Sequence, residues 1–251
     1  MQEKWGGKGL TVIGVASDNH GEETAKWMKD HEAKYPYAWD KSKGLFTWVK
    51  APGWPHAMLI DANGNLAWSG SASSLTDDIL EKATAGALPK AMFEWPPSTK
   101  EVKTALLKHA YKNALDAAAK LSEADNGPVI AKAIQGIVEG RVGAMKGDYA
   151  KGNFLGAESS ATALQKELEG LPGKDEAVKV LADLKANKDA APVLKAQKQI
   201  AKMREADLHK SKEIDGAIED LKKISKDLPN TYAATQASDF MAELQKLKAK
   251  K

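Results

Sequence analysis

Between Leu10 and Ala16 the chain reads Leu-Thr-Val-Ile-Gly-Val-Ala, apolar and β-branched with little polar interruption. Such a run predicts a central strand covered on both faces, as in a parallel sheet. Charged and apolar positions then alternate at helical spacing over residues 22–33, which predicts a helix. Tyr35 to Trp39 predicts a short strand, Ala57 to Ile60 a second apolar strand and Asn65 to Trp68 a third. Asp61-Ala62-Asn63-Gly64 joins the last two. Asn-Gly is a strong hairpin signal, because both residues tolerate the positive φ of a tight turn. Ser74 is expected to cap a helix through Lys82, with Asp77 and Asp78 favourable in its first turn.

From residue 99 onward the period is helical throughout. Residues 99–124 place Val102, Leu106, Ala110, Ala114, Ala117 and Leu121 on one face, and residues 128–149 do the same with Ile130, Ile134, Ile137 and Met145. Further amphipathic stretches cover 153–170, 174–187, 193–208, 212–227 and 231–248. Leu228-Pro229-Asn230-Thr231 separates the last two as a stop followed by an N-cap. Each helix is apolar on one stripe only, so each needs a neighbour, and short connections imply antiparallel hairpins. Gly147-Asp148-Tyr149 and the alanine-rich pairs resemble tetratricopeptide hairpins, although no clean period of about 34 residues is present.

Aromatic usage draws the same boundary. All seven tryptophans lie within residues 1–95. Leu88-Pro89-Lys90 and Trp95-Pro96-Pro97-Ser98 read as an extended connector, since proline disfavours helix in the residue before it. The expected organisation is residues 1–88, a Pro-rich linker at 89–98, and a helical region at 99–251. The net charge of +3 is too small to argue for nucleic acid or an anionic membrane. The tail lysines Lys246, Lys248, Lys250 and Lys251 read as a frayed helix end. No apolar run is long enough to span a bilayer. The residues after Met1, namely Gln2, Glu3, Lys4 and Trp5, do not form the apolar core of a signal peptide. There is no cysteine, so a disulfide framework, a thiolate metal site and a cysteine nucleophile are all excluded for this chain.

The order of pieces in the first region carries a resemblance. Gly14-Val15-Ala16-Ser17-Asp18 closes the first strand. Gly53-Trp54-Pro55-His56-Ala57-Met58-Leu59-Ile60-Asp61-Ala62-Asn63-Gly64 follows the helix, and Gly70 follows the last predicted strand. This resembles the TlpA-like branch of the thioredoxin (redoxin) family: a GVxxD strand and helix, a G-x-P-x-x-x-L-I-D-x-x-G segment, and a late glycine. The resemblance implies a thioredoxin-like fold and thiol–disulfide exchange or related peroxide reduction. It implies that Pro55 is cis and that Trp54, Pro55 and His56 form the side of the site that meets a peptide or thiol substrate. It implies a protein or peptide thiol/disulfide partner, no cofactor, and an extracytoplasmic, periplasmic setting in bacteria.

One departure decides what the chain can do. In the family a strand and a cysteine-bearing helix precede the GVxxD strand, whereas only Met1 to Gly9 precede Leu10 here. These nine residues resemble the last turn of that helix and its exit loop, with Gly6-Gly7-Lys8-Gly9 as the exit turn. Thiol–disulfide exchange begins with attack by a thiolate, so without cysteine no mixed disulfide forms on this chain. Two origins stay open: Met1 as an internal methionine of a longer reading frame, which is the favoured expectation, and a degenerate remnant. The strand absent from the pattern is the one expected between Leu10–Ala16 and Ala57–Ile60. Its absence predicts a three-strand remnant with a vacant strand's width, or strand rearrangement across it.

Other constellations carry less. His20, His31, His56, His109 and His209 are not paired at metal-ligand spacing. Asp61-Ala62-Asn63-Gly64-Asn65 lacks the ligand alternation of a calcium loop. The glycines at 6–9 precede a strand and cannot cradle phosphate as a P-loop does. Core packing is the expectation for Trp27 and Trp68, and a substrate-side surface for Trp48 and Trp54. The fold expected is therefore an α/β truncated thioredoxin-like domain followed by an all-α region of antiparallel helical hairpins. The function expected is membership of the thiol–disulfide oxidoreductase family with the chain itself catalytically incomplete. The alternative is a non-enzymatic binding or scaffold protein in which the remnant and the helical hairpins hold a protein partner.

Overall fold

The computed structural model describes residues 1–17, 21–49, 51, 53–62, 64, 66–85, 87, 91–206 and 211–249. Asp18, His20, Asn63, Asn65, Leu88 to Lys90, His209 and the tail lysines Lys250 and Lys251 lie outside the described residues, as does the side chain of Trp48. The chain is mostly helical, with a small strand portion near its N-terminus, and it divides into two compact units, Met1–Gly140 and Arg141–Lys251. Among the described residues no helix is long and apolar enough to cross a membrane.

The first unit opens with a one-turn helix α1 (Gln2–Trp5) and a 3-10 turn that ends at Gly9. Gly9 adopts φ 98°, a left-handed conformation that suits glycine, and so releases the chain toward strand β1 (Gly14–Ala16). Helix α2 (Gly21–Asp30) leads to strand β2 (Tyr37–Trp39), which pairs in parallel with β1, Val15 opposite Ala38. Helix α3 (Gly44–Trp48) follows. Strand β3 (Ala57–Ile60) then pairs antiparallel with β4 (Leu66–Gly70), Met58 opposite Ser69, with an irregularity between Leu59 and Ile60. Helix α4 (Asp77–Thr84) packs on β4. The strands thus form two separate two-stranded sheets.

Several expectations are corrected at this point. Only Gly14–Ala16 of the predicted strand Leu10–Ala16 is strand, and it is not covered on both faces: Ile13 is 58% exposed and Val15 40%. The reason is local. The Gln2 carboxamide takes the place of a neighbouring strand, its Oε1 accepting from Val12 N at 2.7 Å and its Nε2 donating to the Leu10 carbonyl at 3.3 Å. The N-cap of α4 is Thr76, not Ser74. The Thr76 hydroxyl accepts from Ile79 N, while Ser74 closes a preceding 3-10 turn by donating to the Ser71 carbonyl. Trp27 is 51% exposed and stacks on His31 one turn later, so it is not a core residue. Trp68 does pack against the core of this unit, which is built on Trp5, Leu10, Leu59, Leu80 and Ala83. Gly70 lies within β4 and not after it. A side chain there would meet the Trp68 indole at 2.9 Å, which accounts for the glycine.

Residues 99–124 form two short helices, α5 (Lys100–Leu107) and α6 (Tyr111–Ala118), where one was expected. His109 between them sits at φ 54° and ends the first helix without glycine or proline. The two helices pack on each other through buried Val102, Tyr111, Ala114 and Ala118.

The rest is a succession of long helices: α7 (Gly127–Ala150), α8 (Phe154–Glu167), α9 (Lys174–Ala186), α10 (Ala190–Glu205), α11 (Ser211–Asp227) and α12 (Tyr232–Ala249). Within the second unit α8 packs on α9, α10 on both, and α12 on α10 and α11. A helix that packs on its successor and on the next but one builds a layered stack of hairpins. Its largest apolar cluster joins Ile200 of α10, Ile214, Leu221 and Ile224 of α11, and Phe240 and Leu244 of α12. Ion pairs follow two of these neighbour relations, Lys198 to Glu158 and Arg204 bidentate to Glu243, and Arg141 of α7 pairs with Glu167 of α8.

Candidate functional site

The residues that sequence singled out, Trp54, Pro55 and His56, occupy the loop that delivers the chain into β3. The peptide bond between Trp54 and Pro55 is cis. The Trp54 side chain is 64% exposed, the most exposed of the tryptophans described, and its ring stacks on Phe46 with centroids 4.5 Å apart and planes 17° from parallel. Offset aromatic stacking of this kind holds a large apolar surface in place without burying it. His56 is fixed on the other side, its Nε2 2.9 Å from the Ser69 hydroxyl of β4.

The position of Phe46 is set by Asp40, just beyond β2. Asp40 N donates to the Ala16 carbonyl at 2.8 Å and extends the β1–β2 pairing by one rung. Its carboxylate accepts from Gly44 N at 2.9 Å and from Phe46 N at 3.1 Å, satisfying two of the donors left open at the start of α3. A continuous set of contacts therefore runs from the end of β1 through Asp40 and α3 to the Trp54 ring. Neither Asp40 nor Phe46 was singled out from sequence. Asp40 preceding Gly44 and Phe46 carries no spacing that separates a capping carboxylate from an ordinary turn residue.

A second network lies at the base of the same unit. Asp77, the first residue of α4, accepts from Lys4 at 2.5 Å and from the Trp5 indole at 3.1 Å. These hydrogen bonds, from Lys4 first and then Trp5, hold its carboxyl below the ordinary carboxylate range. The network ties α1 to α4 at the surface of the unit, where both the Lys4 and Asp77 side chains stay exposed.

What the loop can do chemically is limited and clear. Among the described residues no three histidine, aspartate or glutamate side chains converge to hold a metal. Among the described residues His56 has the Ser69 hydroxyl as its partner and no carboxylate hydrogen-bonded to its ring, the third member that activates a serine nucleophile. No thiol exists on the chain. The loop presents an exposed indole on an aromatic support, a proline, and a histidine held by a hydroxyl, all where the chain enters a hairpin. Trp48, expected beside Trp54, contributes its backbone to the end of α3.

Comparison of the chain with protein-family models, with curated proteins and with solved structures finds no match.

Proposed function

We propose that residues 1–88 are the substrate-side part of a TlpA-like thioredoxin fold, and that Trp54, Pro55 and His56 hold an extended peptide or thiol-bearing partner there. The observation that carries this reading is the exposed Trp54 ring, braced on Phe46 in the loop that enters the β3–β4 hairpin. Support also comes from the parallel β1–β2 pair that precedes it in the chain, in the order the resemblance implies. The chain binds but does not exchange disulfides, because the attacking sulfur is absent from its sequence.

The test supplies that sulfur. A redoxin-type strand, Cys-x-x-Cys and helix are fused ahead of Met1, and insulin reduction is followed with dithiothreitol as the electron source at a level that alone is slow. The fusion is expected to reduce insulin and the parent chain to do nothing. Trp54→Ala in the fusion is expected to raise KM more than it lowers kcat, as loss of a binding contact does. A folded fusion with a titratable dithiol and no insulin reduction overturns the reading.

A second reading is favoured by the absence of cysteine and by the amount of helix. In it the chain is a non-enzymatic binding protein in its own right, and its helical hairpins hold a protein partner. Peptide binding at Trp54 that survives while every fusion stays inactive would favour it.

A further inference from the structure

The second unit carries a groove that the N-terminal reading leaves unused. Helices α9 and α10 part to leave a trough of about 620 Å³. A neighbouring hollow of about 530 Å³ between α8 and α9 shares Glu158, Leu181 and Lys185 with it, so the two run into one another. The floor is apolar: Leu184 is buried, and Leu181 and Leu194 are half-buried, their remaining surface turned to the opening.

The rim is cationic. Lys166 of α8, Lys185 of α9, and Lys195, Lys198 and Lys202 of α10 line the two hollows and all are exposed, against a single acidic side chain, Glu158. Lys198 pairs with Glu158 at 2.6 Å. The other four lysines make no ion pair among the described residues. Elsewhere in the same unit Lys146 pairs with Glu176, Lys174 with Glu169 and Lys248 with Asp215. Five exposed lysines thus stand around this apolar trough, with one acidic side chain among its lining residues. Like charges so placed repel one another and draw an anion to the groove.

We propose that α8, α9 and α10 form a docking groove for an acidic peptide segment with apolar side chains, its leucine-like anchors on Leu181, Leu184 and Leu194 and its carboxylates facing the lysines. This does not rest on the reading of residues 1–88. An acidic amphipathic segment satisfies both features at once, as helix-in-groove recognition does elsewhere. A nucleic acid would use the lysines but finds no aromatic side chain in the groove to stack a base on, and phosphates gain nothing from a leucine floor. A second copy of this chain carries a net charge of +3, so overall charge does not draw it to the lysines.

The test uses the full chain and a fluorescein-labelled peptide of about 15 residues repeating Glu-Glu-Leu, read by fluorescence anisotropy. Saturable binding is expected that weakens as salt is raised. The combined variant Lys185→Glu, Lys195→Glu, Lys202→Glu is expected to weaken it at least about tenfold with unchanged helical circular dichroism, since these side chains are solvent-facing. Peptides with serine in place of leucine, or lysine in place of glutamate, are expected to bind at least about tenfold more weakly. The proposal is overturned by no saturation at about 1 mM peptide, or by equal affinity for the lysine-containing peptide. It is equally overturned by a triple variant, still folded, that binds as the parent does. Tighter binding of poly(U) than of the acidic peptide at the same salt would also overturn it, as would a dimer in sedimentation that the triple variant abolishes.

Discussion

At the scale of single residues, two polar side chains do more for the fold than their residue type announces. Gln197 is almost completely buried, yet its carboxamide is fully used. Oε1 accepts from Leu155 N and Nε2 donates to the Gly152 carbonyl, both at 2.9 Å. It thereby satisfies backbone groups at the turn into α8 that no helix can reach. Gln197→Leu leaves both orphaned in a dry setting, and stability in urea is expected to fall by about 2–3 kcal/mol. An unchanged midpoint would mean that water takes over the two bonds. Asp77 makes a prediction in pH. Its carboxyl is held low in the folded chain by Lys4 and Trp5, so the stabilisation it brings is present at neutral pH, above the unfolded value. It is lost as pH falls through the folded value. Asp77→Asn should therefore melt below the parent at pH 7, and the difference should close as pH falls below the folded value. A constant gap across that range would exclude the titration as its origin.

At the scale of elements, Asp40 links a strand pair to the Trp54 loop. Asp40→Ala removes two charge-assisted bonds from the first turn of α3, a loss of about 1 kcal/mol in local stability. Phe46 should then release the Trp54 ring. The indole resonance of Trp54 is expected to shift in a proton–nitrogen correlation spectrum while those of Trp5 and Trp95 stay in place; an unshifted Trp54 signal would show that the stack does not depend on the cap. The same element shows what was legible in sequence and what was not. The loop before Ala57–Ile60 and the exposure of Trp54 were readable, because a proline and an Asn-Gly turn are local signals. Phe46 and Asp40 were not, since their roles arise only when β1, β2 and α3 meet. The long helices were readable from their apolar stripes. The break at His109 was hidden because a histidine in the left-handed region leaves no compositional mark. The strand over 10–16 was overextended because propensity gives a strand's residues, while its length depends on a partner, and Gln2 supplies only two hydrogen bonds in place of one. The lysine groove leaves no mark in sequence: Lys195, Lys198 and Lys202 follow helical spacing, and their place beside α9 shows only in the structure.

At the scale of the molecule, the two units are built to different standards of closure. In the second, α10, α11 and α12 bury a shared cluster in which Ile214, Leu221, Ala233 and Ala237 are wholly inaccessible. Among the described residues of the first, each of the four strands has a single partner, the cluster of Trp5, Leu10, Leu59, Leu80 and Ala83 that packs with the strands is small, and Ile13, Val15, Ile60 and Leu66 keep large apolar surfaces in solvent. Few buried contacts and one-sided pairing lower the cost of local opening. Native-state hydrogen exchange should therefore separate the units. Amides paired in β1–β2 and β3–β4 are expected to be less protected than those in the middle of α11 and α12 by about 2 kcal/mol or more, roughly thirtyfold in rate. A partner that covers the open strand edges would narrow that difference selectively in the first unit, whereas an acidic peptide in the lysine groove would raise protection in α9 and α10 instead. Equal protection in strands and helices of the unliganded chain would mean that the exposed edges are closed in solution, and that the Trp54 loop sits on a more rigid base than its two-strand sheets provide.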